Sequence, residues 1–316
     1  MKKQEKIARK EDFTRLLLHW NQTGNTRQMP WKGEKDPYKI WLSEIILQQT
    51  RVEQGLAYYN NFIKTFPTIR QLAAAPDQKV FKLWEGLGYY SRCRNLLATA
   101  RMIVKEKKAK FPATYEEIVA LKGVGPYTAA AISSFAFNLP YPVVDGNVFR
   151  VLARVFGIDT PVDSSAGKSC FTALAGELLD KKHPGSYNQA IMDFGAVVCK
   201  PAAPLCSGCP FRKTCHAFLH QQTAVLPVKE KKPAIRKRWF YYLVLEYKNQ
   251  VSIRQRSEKD IWQDLYEFPL VEAGKETSSK KVLHDAEKNG WLKKNGYEPV
   301  FVSPAYRQQL SHQLIA

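Results

Sequence analysis

This 316-residue sequence predicts a mainly α fold followed by a small α+β domain, and three observations point to it. Residues 1–220 place apolar side chains at helical spacing between short loops that contain Pro or Gly. Four of the six cysteines crowd into residues 199–215. Beyond L-P-V-K-E-K-K-P-A-I-R-K-R (226–238), a basic, proline-bearing stretch, the composition turns aromatic and β-branched.

The length gives room for about two domains, and 45% hydrophobic residues allow a sizeable core. No run approaches the roughly 18 apolar residues of a membrane span. The start, M-K-K-Q-E-K-I-A-R-K, is charged and has no apolar signal region. A soluble cytoplasmic protein without a membrane partner is expected. Lys and Arg number 48 against 29 Asp and Glu, a net charge of +19. Such a surplus predicts a polyanionic partner, by default nucleic acid.

Helices are expected at about 7–20, 37–49, 53–65, 77–85, 91–106, 114–121, 126–137, 147–156, 167–181 and 187–198. Thr114 with Glu117, and Ser186 with Gln189, have the spacing of capping boxes. Residues 1–220 form the expected helical domain, 221–238 a basic linker and 239–316 the second domain. There, W-F-Y-Y-L-V-L-E-Y and V-S-I-R flank a K-N turn and predict a hairpin, with a helix at about 278–290 and a strand at 298–302. The chain stops at L-S-H-Q-L-I-A without turn or cap, so the second domain is expected to be incomplete.

Within the helix at 37–49, apolar almost all round, stands one carboxylate, Glu44. Ionised among Ile40, Trp41 and Leu47, it would cost several kcal/mol, or take up a proton instead. The segment L-K-G-V-G-P-Y-T-A (121–129) lies between two helices. Gly123 and Gly125 flank one apolar residue and allow a tight turn with outward N–H groups, while Lys122 adds a phosphate contact. This is a helix-hairpin-helix motif over 114–137. In P-V-V-D-G-N-V, Asp145 sits in a D-G turn leading into a helix, whose N–H groups and dipole would keep it ionised. Two carboxyl groups in such different settings form an acid and an electrostatic partner, as cleavage of an N-glycosidic bond requires. Cys199, Cys206, Cys209 and Cys215 can hold zinc or an iron–sulfur cube. Cys93 and Cys170 lie within helices and are expected to be plain buried thiols.

The cysteine spacing is that of the [4Fe–4S] loop in the endonuclease III superfamily of DNA glycosylases. Residues 30–215 as a whole resemble the catalytic region of MutY-type adenine DNA glycosylases. The carrying motifs are P-W (30–31), W-L-S-E-I-I-L-Q-Q-T (41–50), W-E-G-L-G-Y-Y-S-R (84–92), the hairpin, V-D-G-N-V (144–148), N-Q-A (188–190) and the cysteine loop. The resemblance implies two helical subdomains facing a cleft, a [4Fe–4S] cluster, and excision of adenine mispaired with 8-oxoguanine or guanine from flipped-out duplex DNA by a monomer. It assigns Glu44 as general acid and Asp145 as stabiliser of the oxocarbenium ion. Lyase relatives carry a lysine where this chain has Tyr127, so a monofunctional enzyme is implied, with Tyr127 bonded to Asp145 and Asn147 positioning Asp145 or a water. Arg27, Trp31 and Gln189 match the adenine pocket. Gln49 and Tyr89, with Thr50 and Leu87 beside them, match residues that wedge into the duplex.

The second domain is similar to the family's Nudix-like domain through I-W-Q-D-L-Y-E-F-P (261–269) and L-S-H (310–312), which gives Ser311 a role in reading 8-oxoguanine. Its helix is lysine-rich instead of glutamate-rich, so recognition without hydrolysis is implied. Two other readings stay open: a glycosylase/lyase on oxidised pyrimidines, and a non-catalytic DNA-binding iron–sulfur protein.

Overall fold

The computed structural model describes residues 3–230, 235–310 and 313–316. The chain forms two compact units, Met1–Glu230 and Lys231–Ala316. The first holds α1 (Lys3–Thr23), α2 (Pro37–Leu47), α3 (Val52–Thr65), α4 (Ile69–Ala74), α5 (Asp77–Trp84), α6 (Ser91–Glu106), α7 (Tyr115–Val119), α8 (Pro126–Phe137), α9 (Gly146–Phe156), α10 (Ser165–Leu178), α11 (Pro184–Val197) and α12 (His216–Leu219). None of the described helices is long and apolar enough to cross a membrane.

Two large cores, and a small cluster of Ala130, Ala131 and Val143 that touches both, hold this unit together. One gathers Trp41, Leu42 and Ile46 of α2 with Phe62 of α3, Trp84 of α5 and Leu96 of α6. The other joins Phe13 and Leu17 of α1 to Val151 and Leu152 of α9, Phe171 of α10 and Phe194 of α11. Phe13 stacks on Phe211 at 4.7 Å between ring centroids, so the first helix packs against the last part of the unit. Each such fully buried side chain contributes about 1.5–3 kcal/mol.

Local chemistry sets the helix ends. Asp36 caps α2 by accepting from the Tyr38 N–H at 2.9 Å, with Pro37 at the first helical position. α2 stops at Leu47, two residues short of expectation, because Gln49 takes a left-handed backbone (φ 57°). α11 begins at Pro184, earlier than expected, because the proline presets the first turn. Ser186 is therefore inside the helix, the Ser186–Gln189 capping box does not form, and Gln189 turns to Asp193 instead (3.0 Å). Thr114 does cap α7, accepting from the Glu117 N–H at 3.3 Å. The short α4 and α12 were not expected; α4 opens on a Thr68–Gln71 capping box.

The second unit contains β1 (Arg236–Tyr242), β2 (Glu246–Tyr247), β3 (Gln250–Val251), β4 (Arg254–Gln255), β5 (Tyr266–Glu267), β6 (Leu270–Ala273), α13 (Ser279–Lys288), β7 (Gln308–Gln309) and β8 (Gln313–Ile315). Its main sheet has the order β6-β1-β8-β7, with β1 antiparallel to β6 and parallel to β8. Lys248 and Asn249 turn the β2–β3 hairpin with φ of 49° and 60°, as two-residue hairpin loops require. The run 298–302, read from sequence as a strand, is not one: Val300, Phe301 and Val302 are 93%, 80% and 69% exposed, with no partner strand among the described residues. Of the stretch 221–238, the described residues on either side of 231–234 are tied to their own unit. Val228 and Glu230 bond back to Val162 and Asp163 at 3.0 and 2.9 Å, and 236–238 belong to β1.

Candidate active site

A cavity of about 760 Å³ in the helical unit is walled by Glu44 of α2, Tyr127 of α8, and Asp145 and Asn147 at the start of α9, among others. Its size is that of an ordinary small-molecule pocket.

Glu44 sits in the middle of α2 and is 7% exposed. Burial pushes its pKa up to about 7; a hydrogen bond from Tyr127 offsets part of this, and the negative charge of Asp145 adds to it. At neutral pH a large share of Glu44 therefore carries a proton. Tyr127 stands in the first turn of α8, directly after Pro126. Its phenol is raised well above the usual range by burial and by the charges of Glu44 and Asp145, so it remains a neutral donor. The expected bond from Tyr127 to Asp145 is replaced by the one to Glu44, because α8 faces α2 at this point.

Asp145 is the N-cap of α9. One of its oxygens accepts from the N–H groups of Asn147 and Val148 at 2.9 and 2.8 Å, and the other from the Asn147 amide at 2.8 Å. Asn147 is held in turn by Arg150, whose guanidinium donates to the Asn147 Oδ1 and to the Gly195 carbonyl, each at 2.7 Å. A Cβ on Gly195 would lie 2.6 Å from the Asn147 Cβ, so α11 reaches α9 only because residue 195 is glycine. Asn188 fixes the approach to Asp145: it accepts from the Val143 N–H at 3.1 Å and donates to the Tyr141 carbonyl at 2.9 Å.

Arg27, Trp31 and Gln189 all line the same cavity. Between Arg27 and Gln189 lies Asp193 of α11, fully buried and not singled out from sequence. Two lysines, Lys32 and Lys35, also reach the wall. Lys32 pairs with Asp193 at 3.1 Å, and Lys35 donates to the Phe135 carbonyl at 2.9 Å.

Gln49, which lines the cavity, and Tyr89, which does not, are exposed, and both have left-handed backbones (φ 57° and 48°). The buried Arg92 ties their loops together. It donates to the Ile45 and Ile46 carbonyls at 3.0 and 2.8 Å, to the Gln48 carbonyl, to Thr50 Oγ1, and to the Gly88 carbonyl at 3.3 Å. Thr50 lines the cavity. Leu87, expected beside it as a DNA contact, instead packs into the core with 5% exposure, where an apolar side chain is most stable. In the hairpin, Gly123 needs its glycine (φ 83°), whereas Gly125 is the extended N-cap of α8. Lys122 is exposed beside them. Ser311 lies outside the described residues.

All six cysteines are free thiols. Cys93 is buried as expected, but Cys170 is exposed, since its helix face turns to solvent. Burial raises the Cys206, Cys209 and Cys215 thiols, Cys209 to about 12, and the neighbouring cysteine charges add to the effect. Buried Arg154 braces their loop, donating to the Lys200, Pro201 and Thr223 carbonyls at 2.7, 2.8 and 2.6 Å and to Cys199 Sγ at 3.5 Å. Among the described residues no three His, Cys, Asp or Glu side chains converge closely enough for one metal ion.

A family model, the HhH-GPD superfamily base excision DNA repair protein, matches residues 42–169. The adenine DNA glycosylase of Buchnera aphidicola subsp. Schizaphis graminum is 36% identical over 283 residues, covering 90% of this chain and 78% of that protein. Its counterpart in Buchnera aphidicola subsp. Baizongia pistaciae is 34% identical, covering 95% and 83%. Among solved structures, a thermostable thymine-DNA glycosylase superposes with a TM-score of 0.63 at 27% identity, over 67% of this chain and 98% of that one.

Proposed function

The chain belongs to the adenine DNA glycosylase family and is an adenine-specific DNA N-glycosylase of base excision repair; from that premise we propose how its residues act and on which mispairs. The substrate is duplex DNA holding adenine opposite 8-oxoguanine or guanine, with the adenine flipped into the cavity beside Glu44. Glu44, protonated at neutral pH, gives its proton to a ring nitrogen as the N-glycosidic bond breaks and its electron pair leaves with the base. Asp145, held by two backbone N–H groups and Asn147, faces the developing oxocarbenium ion as a carboxylate. Water then adds to the sugar carbon, and the Glu44 carboxylate recovers a proton from it. The products are free adenine and an abasic site.

The observation that carries this reading is the pairing of a buried, proton-holding Glu44 with an N-capped Asp145 in one cavity. The absence of strand cleavage follows from Tyr127, which has no amine to form a Schiff base, and from the engagement of Lys32 and Lys35 elsewhere. Gln49, Thr50 and Tyr89 enter the duplex around the opposing base, and Lys122 with the hairpin N–H groups takes a phosphate. The second unit reads the opposing lesion, with Ser311 in that role. The protein acts as a monomer, on the DNA of the cytoplasm.

Cys199, Cys206, Cys209 and Cys215 would hold a [4Fe–4S] cluster. Their Cys-x6-Cys-x2-Cys-x5-Cys spacing, that of the [4Fe–4S] loop in the endonuclease III superfamily, supports a cube that takes one thiolate at each iron over a single zinc ion. When bound, the cluster supplies structure, ordering the loop that Arg150 and Arg154 connect to α9.

The decisive test uses a labelled duplex with one adenine opposite 8-oxoguanine, split after incubation and half treated with hot alkali. Cleavage at the adenine only after alkali is expected. Cleavage without alkali would overturn the monofunctional assignment, and wild-type excision by both Glu44→Gln and Asp145→Asn would overturn the catalytic one.

A further inference from the structure

Asp193 is held by four side chains, and three of them, Arg27, Lys32 and Gln189, line the cavity. It has no solvent exposure. Its Oδ1 accepts from Arg27 Nη1 at 2.9 Å and from Gln189 Nε2 at 3.0 Å. Its Oδ2 accepts from Asn25 Nδ2 at 2.9 Å and faces Lys32 Nζ at 3.1 Å. Two donors on each oxygen fill the roughly four lone-pair sites a carboxylate offers. Asp193 thus has nothing left with which to touch a base. Its effect must pass through its partners.

The effect on Gln189 is directional. An ionised carboxylate only accepts, so the Gln189 amide must point its NH₂ at Asp193. Its carbonyl oxygen is left without a partner among the described residues, on a side chain that lines the cavity. The Gln189 amide is thereby set as an acceptor. Adenine carries an amino donor at its 6-position where guanine and hypoxanthine carry an oxygen. An acceptor there attracts the first and repels the others.

We propose that Asp193 is a positioning residue for base selection, orienting the Gln189 amide so that only its oxygen meets the 6-substituent of the flipped purine. Asp193 also anchors the wall itself: Asn25, Arg27 and Lys32 come from the segment before α2, and Asp193 ties that segment to α11. The inference rests on the reading that the base enters this cavity beside Glu44. That reading fails if Glu44→Gln excises at the wild-type rate, whereas this one fails on a ratio.

The test compares single-turnover excision of adenine and of hypoxanthine, each opposite 8-oxoguanine in the same duplex. Asp193→Asn offers Gln189 both a donor and an acceptor, so the amide can turn over. The adenine-to-hypoxanthine ratio should fall about tenfold or more, the size of one lost base-reading contact. A purely structural role would lower both rates together and leave the ratio unchanged. The double variant Asp193→Asn/Gln189→Glu restores a fixed acceptor, because the amide introduced on α11 can donate to one oxygen of the introduced carboxylate while the other faces the base; its ratio should recover. Should Asp193→Asn not fold, Gln189→Leu removes the oriented amide alone and must lose the same ratio. An unchanged ratio in Asp193→Asn or Gln189→Leu, or no recovery in the double variant, would overturn the proposal.

Discussion

Replacing Glu44 by Gln tests the pKa of the buried carboxyl through stability as well as through activity. In the folded protein Glu44 titrates at about 7, against 4.5 for an ordinary glutamate. The folded state therefore keeps the proton over a range in which the unfolded chain has lost it. Stability from the protonated form is complete below 4.5 and is lost as pH rises to about 7. The whole effect is about 3 kcal/mol. Glutamine has the same shape and no titration. Relative to wild type, Glu44→Gln should therefore gain about 2.5 kcal/mol in stability between pH of about 5 and about 8.5. Urea unfolding of both proteins at the two pH values, followed by tryptophan fluorescence, measures it. A stability difference that does not change with pH would refute the raised pKa and, with it, the acid role assigned to Glu44. The wild-type excision rate should correspondingly decline above pH 7, where the general acid loses its proton.

Tyr127→Phe removes the hydrogen bond that lowers the Glu44 pKa, so the alkaline decline in excision should shift to higher pH; a pH–rate profile checks the direction. Asp145→Asn keeps a residue that caps helices well, so melting should change by less than about 1 kcal/mol while single-turnover excision falls about a hundredfold or more. Lys122→Ala should weaken duplex binding and reduce the slope of log affinity against log salt by about one, as read by fluorescence anisotropy. Cys209→Ser should abolish broad visible absorption and iron content in the purified protein; a colourless wild type loaded with zinc would refute the cluster.

Much of the helical unit was legible because amphipathic helices of three or more turns write their period into the sequence. α3, α6 and α9 fall close to where that period puts them. α4 and α12, at six and four residues, are too short to show one. Glu44 and Asp145 could be found because each sits in a local setting, an apolar helix and a D-G turn, that contrasts with its charge. Asp193 stands in an apolar run, A-I-M-D-F-G-A (190–196), that hints at burial, but only the meeting of α11 with the segment 25–32 supplies the partners that make it a buried hub. Arg92 and Arg150 are no easier to read, since their acceptors include backbone carbonyls remote in sequence, at Ile45 and Gly195. The bond from Tyr127 to Glu44 depended on how α8 faces α2, which spacing alone does not encode.

The division of the helical unit into two cores bears on how the enzyme would fail. Glu44 belongs to a helix of one core, and Asp145 caps a helix of the other. The proton donor and its electrostatic partner are thus registered through the packing of two bodies, joined beside the site by the small cluster of Ala130, Ala131 and Val143. Warming, or a cavity-forming substitution deep in either body, would loosen that registration before either body melts. Excision should then disappear at a temperature where helical content is still intact, and substitutions far from the cavity should impair repair without reducing the amount of folded protein.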